Sequence, residues 1–151
     1  MLSSRAKYAT RALLELSLCY EQGPLRLSEI AERQSIPLPF LQQIMGTLRL
    51  AGFVNAKKGP GGGFRLSREP EKIILGDLVR AIDGPIALLS CVSVTRQAEC
   101  GCPDPEICGL RLAFKEARDS MADVLDHTSY EDIRRRHVEN LAKESKKSSS
   151  S

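Results

Sequence analysis

Four of the five cysteines in this 151-residue chain fall within 18 consecutive positions: Cys91, Cys100, Cys102 and Cys108. Thiolates are soft ligands that suit iron–sulfur clusters and zinc, and they can also undergo thiol–disulfide exchange without a metal. The spacing therefore leaves an iron–sulfur cluster, a zinc site, a metal-free thiol switch and inert cysteines as alternatives. Cys19 stands apart in an apolar helical segment, where we expect a small buried hydrophobic residue.

Helical patterns flank the cysteine-rich loop, which we place at residues 86–105. After the loop, apolar residues alternate in steps of three and four over nearly three heptads, the pattern of a coiled-coil seam. The seam consists of Ile107, Leu110, Phe114, Ala117, Met121 and Val124. One chain offers little to cover such a seam, so we expect a dimerisation helix over 106–126. The alternative is a helix packed on its own domain. A last helix is predicted over 129–144, before a polar, mobile tail at 145–151.

Residues 1–85 have the pattern of a winged helix-turn-helix domain. A first helix is predicted over 4–20, and a short one from Glu29 to Gln34 with Ser28 as its N-cap. A tight turn leads to a longer helix from Pro39, which Gly52 closes. The predicted fold is mainly α with a small β-hairpin wing.

The period then changes from helical to extended. Two short runs, Phe53–Lys57 and 63–66, surround a glycine-rich tip and predict the hairpin. A tip without side chains lets backbone amides approach phosphates, and nearby cations add charge. The wing residues expected to contact DNA are Lys57, Lys58, Gly59, Gly61, Gly62 and Arg65. A nucleotide-binding loop is the weaker alternative, because the terminal Lys-Ser/Thr of a P-loop is missing.

The longer helix is the predicted recognition helix. Glutamine can form two hydrogen bonds with adenine in the major groove, so Gln42 and Gln43 are the expected base readers. Ser28, Pro39 and Arg49 complete the predicted contacts of the helix-turn-helix. Residues 1–70 hold ten Lys and Arg against five Asp and Glu, whereas residues 71–126 hold six against ten. A basic first half joined to an acidic middle suits a DNA-binding head on a non-binding body.

Several classes of protein are disfavoured by the sequence. No apolar run is long enough to span a membrane, and the N-terminal segment lacks a secretory signal pattern, so we expect a cytoplasmic protein. The two histidines lie in the C-terminal region without a nucleophile beside them, so no enzyme is expected. A winged helix that binds another protein instead of DNA is a stronger alternative than an enzyme, although the basic wing argues against it.

The stretch from LPFLQQIMGTLRLAGF through KKGPGGGF to LGDLVRAIDGPIALLSC resembles the IscR/NsrR superfamily of winged-helix regulators, the Rrf-two superfamily. The resemblance covers residues 3–132. It implies a homodimer that binds a palindromic DNA operator, commonly as a repressor. In many members an iron–sulfur cluster, 2Fe–2S or 4Fe–4S, senses iron–sulfur status, nitric oxide or redox state. Other members have no cluster and respond to protein partners or metabolites.

The resemblance also suggests cluster ligands. Cluster-binding members have three cysteines, which match Cys91, Cys102 and Cys108 here, although the first gap is longer than usual. The chain departs from the family at the fourth ligand. Where some relatives have a histidine it has Arg111, and where others have an acidic residue it has Lys7. Cys100 is therefore the candidate fourth ligand.

Overall fold

The computed structural model describes residues 2–95 and 98–150. Six α-helices and one two-stranded antiparallel sheet lie in this described part of the chain. Their bounds are α1 Ser4–Leu18, α2 Leu27–Gln34, α3 Leu38–Leu50, β1 Val54–Lys57, β2 Gly63–Leu66, α4 Leu75–Asp83, α5 Gly109–Asp126 and α6 Tyr130–Ser149. The mainly α fold with a small β wing is confirmed.

The core forms where α1, α2, α3 and the wing meet. Four apolar side chains of α3 follow the i, i+3, i+4, i+7 spacing of one helix face and are almost completely buried: Leu41, Ile44, Met45 and Leu48. Small alanines on α1 let the helices approach closely, because Ala9 and Ala12 are fully buried. Burial of this shared apolar face positions α2 and α3 relative to each other.

The start of α6 belongs to the same core. The Tyr130 side chain is fully buried, and its hydroxyl donates a hydrogen bond to the Thr10 carbonyl of α1 at 3.2 Å. The Tyr130 backbone N–H donates to the Ile73 carbonyl at 2.9 Å, just before α4. These bonds fix the α5–α6 junction on the winged-helix domain. No helix of the described residues is both long and apolar enough to cross a membrane.

Several element boundaries differ from those predicted; for example, α1 ends at Leu18 rather than at residue 20. Helix α2 begins at Leu27 with Arg26 at its N-cap, so Ser28 is not the cap; the Glu29 carboxylate accepts the Arg26 backbone N–H at 2.8 Å. Helix α5 begins at Gly109, because Pro105–Ile107 form a separate 3₁₀ turn.

Residues 145–149, expected to be a mobile tail, continue α6 as a helix. Their serine hydroxyls bond to carbonyls one turn earlier, such as Ser145 to Leu141 at 3.0 Å. Ser151 lies outside the described residues.

Candidate functional site

The turn between α2 and α3 sets the angle of the helix-turn-helix. Ser35 adopts the left-handed conformation, with φ 51° and ψ 47°, which ends α2 abruptly. The next residue, Ile36, is buried, and its N–H donates to the Ala31 carbonyl at 2.9 Å. The chain thus reverses within two residues and presents α3 on the surface.

The exposed face of α3 carries the predicted base readers. Pro39, Gln42 and Gln43 are exposed on the side of the helix opposite its buried face, and Arg49 lies exposed near its C-terminal end. Ser28 is also exposed, on the first turn of α2. These positions agree with side chains that could reach base edges or phosphates in a groove.

A partly buried charge cluster, not identified from the sequence, joins α1 to α2, with Glu15 inside and Arg33 at the surface. The Glu15 carboxylate is nearly buried and accepts hydrogen bonds from Arg33 at 2.9 Å and Gln34 at 2.7 Å. The Arg33 guanidinium also lies 3.3 Å from the Cys19 sulfur. The Glu15 hydrogen bond raises the pKa of Arg33. Because a buried carboxylate needs such partners, the cluster fixes α2 against α1 and so supports the helix-turn-helix.

The wing is anchored at its base and open at its tip. Phe64 of β2 exchanges two backbone hydrogen bonds with Leu25, of 2.9 and 2.7 Å, which hold the hairpin against the segment before α2. At the tip, Gly59 and Gly61 have positive φ, and the Gly62 N–H donates to the Gly59 carbonyl at 3.0 Å. The tip therefore exposes backbone with no side chain in the way.

Arg68 caps the base of the wing, a role that the sequence analysis did not predict. The Arg68 guanidinium lies 5.6 Å from the centre of the Phe53 ring and donates to the Gly52 carbonyl at 3.1 Å. It also donates to the Lys72 carbonyl at 3.1 Å. Arg68 thus joins the end of α3 to the wing, and neither contact has a local sequence signal.

The cations around α3 and the wing are exposed and carry no internal counter-charge. They are Arg5, Arg49, Lys57, Lys58 and Arg65. None of these five forms an ion pair within residues 2–95 and 98–150. Arg5 was not predicted as a site residue; it reaches from the start of α1 to donate to the Thr47 hydroxyl of α3 at 3.1 Å. Unpaired cations on one surface favour a polyanionic partner.

Three of the four loop cysteines line two neighbouring cavities. Cys91 lines both; one of about 350 Å³ also contains Cys100 and Arg111, and one of about 490 Å³ contains Cys108. Cys102 is exposed, and the other three are half-buried. Arg96 and Gln97 of this loop lie outside the described residues.

Cys100 and Cys102 interact directly with each other. The backbone N–H of Cys102, followed by its thiol, lowers the pKa of the Cys100 thiol, and the bond with Cys100 raises the pKa of Cys102. In the described part of the chain, however, no three His, Cys, Asp or Glu side chains are placed to hold a metal ion. The thiols are chemically suitable ligands for an iron–sulfur cluster, but in this conformation the described cysteines do not converge on one point. Binding of a cluster would require the loop to close around it.

Two contacts connect the loop to the winged-helix domain through α5. The Arg118 guanidinium of α5 donates to the carbonyl of Val92, beside Cys91. At the other end of α5, Asp126 accepts two hydrogen bonds from Arg80 of α4, at 2.6 and 2.8 Å, which lower the pKa of Asp126. Helix α5 therefore contacts both the cysteine loop and the winged-helix domain.

Most of the predicted coiled-coil seam is exposed to solvent on this single chain. No residue of α5 is buried. Ile107, Leu110 and Val124 are 80%, 71% and 63% exposed, and Met121 is 38% exposed. Phe114 is half-buried and Ala117 is exposed. Leu112, which the heptad pattern omitted, is 58% exposed. So much exposed apolar surface on one helix is typical of an interface.

The fold, the exposed α3 face and the unpaired cations define a winged helix-turn-helix DNA-binding protein. The chain belongs to the Rrf2 family, described as iron-dependent transcriptional regulators, whose model matches residues 2–136. It is therefore a DNA-binding transcriptional regulator, and its relatives are regulators rather than enzymes. The family suggested by the sequence is confirmed.

Individual relatives agree with this family. The HTH-type transcriptional regulator IscR of Aliivibrio salmonicida is 33% identical over 128 residues, covering 85% of this chain and 73% of that protein. The structure of CymR, the global cysteine regulator of B. subtilis, matches with TM-score 0.77 and 29% identity over 90% of this chain and 97% of that one. IscR of T. potens matches with TM-score 0.74 and 27% identity, covering 91% and 88%.

Proposed function

We propose that the chain is a homodimeric repressor whose two α3 helices and wings bind the two half-sites of a palindromic operator. The observation that carries this proposal is the exposed glutamine face of α3 next to five cations without an internal counter-charge. Pairing of the coiled-coil seams of two chains would cover the exposed apolar side chains and place the two recognition helices on one side of the dimer.

Substitutions at Gln42 and Lys58 are expected to affect DNA binding differently. Gln42→Ala should reduce the preference for operator over scrambled DNA by about 1–3 kcal/mol, because a bidentate base contact is lost. Lys58→Ala should weaken both DNAs roughly equally, because phosphates carry no sequence information. Fluorescence anisotropy titrations with the two duplexes measure both effects.

Matched controls for these substitutions lie elsewhere on the surface. Asn140→Ala and Lys143→Ala, both on the exposed part of α6, remove an amide and an ammonium side chain from a region that the proposal leaves free of DNA. Equal losses in variants and controls would contradict the assigned interface. A monomer in gel filtration would contradict binding to two half-sites.

The second part of the proposal concerns regulation. Cys91, Cys102 and Cys108, with Cys100 as fourth ligand, would hold an iron–sulfur cluster, which supplies a redox-active centre when bound. The chain's own contacts support a connection to DNA binding, because Arg118 joins the loop to α5 and Arg80 joins α5 to α4. A coupling of about 1–3 kcal/mol would change operator affinity by about 5–150-fold.

Iron analysis of the protein purified without air tests the cluster. We expect a coloured protein with stoichiometric iron and sulfide, and loss of both in Cys102→Ala. Cys19→Ala is the matched control, since Cys19 lies in the winged-helix domain and not in the loop. Retention of all iron in Cys100→Ala would place the fourth ligand elsewhere. A colourless protein without iron would contradict the cluster.

A metal-free thiol switch is the second candidate. It is favoured by the direct contact between the Cys100 and Cys102 thiols and by the absence, among the described residues, of three converging ligands. It predicts a protein without iron whose DNA affinity changes on thiol oxidation. Zinc analysis of the same colourless sample would separate this candidate from a zinc site.

A further inference from the structure

Gly46 lies in the middle of the exposed face of α3. It follows Gln42 and Gln43 by about one helical turn and precedes Leu50 by another. A Cβ built on Gly46 would meet no atom within 4 Å, apart from its chain neighbours and the backbone of its own helix turn. Its φ is not positive. The backbone at this position would therefore accept any L-residue that favours helices.

The fold of the chain gives no reason for glycine here. Glycine in a helix interior costs about 1 kcal/mol relative to alanine. At two other positions the structure does give a reason for glycine: a Cβ on Gly62 would lie 2.2 Å from the Lys57 carbonyl oxygen, and one on Gly76 would lie 2.0 Å from an Asp126 carboxylate oxygen. At Gly46 the destabilising residue faces solvent, so a reason must come from outside the chain.

The side chains around Gly46 form a rim. Gln42 and Gln43 are exposed on one side of it, and Leu50 is 87% exposed on the other. Beside it, Thr47 accepts a hydrogen bond from Arg5, which brings a guanidinium to the edge of the same face. Gly46 is thus a gap in a surface that is otherwise lined by groups able to contact bases, thymine methyls and phosphates.

We propose that Gly46 is the position where operator DNA comes closest to the backbone of α3, so that the missing side chain sets how deeply this helix enters the major groove. Glycine is used where a ligand must approach the backbone closely. A methyl group at position 46 would hold the helix away from the base edges and lengthen the hydrogen bonds of Gln42 and Gln43. The inference rests on the proposed role of α3 in reading the operator.

Gly46→Ala is expected to stabilise the protein and weaken its binding to DNA. The melting temperature should rise by roughly 2–4 °C, since helix propensity improves and nothing is displaced. Operator affinity should fall by at least about tenfold, equivalent to about 1.4 kcal/mol. Gly46→Leu should lower the affinity further because its side chain is larger. Thermal unfolding followed by circular dichroism and anisotropy titration on the full-length protein measure the two properties.

Asn140→Ala on the exposed part of α6 is the matched control. It also raises helix propensity, but away from α3, so it should stabilise the protein without changing DNA affinity. If Gly46→Ala is stabilised but keeps its operator affinity, the inference is overturned. A loss of DNA affinity in Lys58→Ala would show in that case that the DNA interface itself is correct. If Gln42→Ala and Lys58→Ala also left the DNA affinity unchanged, the proposed DNA interface itself would be wrong. A lower melting temperature in Gly46→Ala would assign the glycine to folding and overturn the inference.

Discussion

Raising the salt concentration from about 50 to about 200 mM is expected to weaken operator binding by about 10³–10⁵-fold, the effect for a protein with roughly 6–10 phosphate contacts. The chain exposes these five cations around α3 and the wing: Arg5, Arg49, Lys57, Lys58 and Arg65. A dimer would therefore present enough unpaired positive charge for contacts in this range. Each contact releases counterions from the DNA, so the affinity falls steeply as salt rises.

The slope of log affinity against log salt concentration checks this expectation. In Lys58→Ala the proposed dimer would lose two phosphate contacts, so the slope should become shallower by about 2. Lys143→Ala removes the same charge from α6 and should leave the slope unchanged. A wild-type slope near zero would contradict DNA recognition through this surface.

Local sequence patterns predicted the helix-turn-helix well. The apolar spacing of α3 identified Leu41, Ile44, Met45 and Leu48 as its inner face, and all four are buried. Their burial leaves Gln42 and Gln43 on the opposite face by geometry alone. The glycine tip and the change to extended period likewise identified the wing, whose β1 and β2 start and end within one residue of the predicted runs.

Contacts between distant parts of the chain were not predictable in the same way. Glu15 is 18 residues from Arg33 in sequence, and only the packing of α1 on α2 brings their side chains together. Arg68 has the composition of an ordinary surface cation, yet it caps the end of α3 and stacks on Phe53. Such roles depend on tertiary packing, which residue spacing along one element does not encode.

The cysteine loop shows the same limit for chemistry. Spacing identified Cys91, Cys102 and Cys108 as thiols that belong together, but only Cys91 and Cys108 line the two adjoining cavities, and Cys102 is exposed outside them. Spacing along an irregular loop cannot specify the direction of each thiol, however, because no helical or strand period applies there. The Arg118 contact with Val92, which joins this loop to α5, has no counterpart in the pattern either.

Gly63→Ala is expected to cost about 3 kcal/mol or more of folding free energy and to abolish operator binding, because it combines a backbone clash with backbone strain. A Cβ on Gly63 would lie 2.3 Å from the Leu25 carbonyl oxygen and 2.5 Å from its carbonyl carbon. Backbone atoms cannot turn aside as a flexible side chain can. The Gly63 φ of 148° is also a conformation that L-residues rarely adopt. Relief of the clash must break the hydrogen bonds between Leu25 and Phe64 that hold the wing.

Gly61→Ala is the matched control, because Gly61 also has a positive φ, of 70°, but a Cβ there would meet nothing within 4 Å. It should cost only the left-handed strain, about 1 kcal/mol. Urea unfolding gives both free energies, and amide hydrogen exchange at Leu25 and Phe64 reports whether the wing has opened before the whole protein unfolds. Equal destabilisation by the two variants would mean that the Leu25 backbone yields without cost. The close approach would then not be what holds the wing beside α2, and the cations of the wing would owe their position to Arg68 and β1 instead.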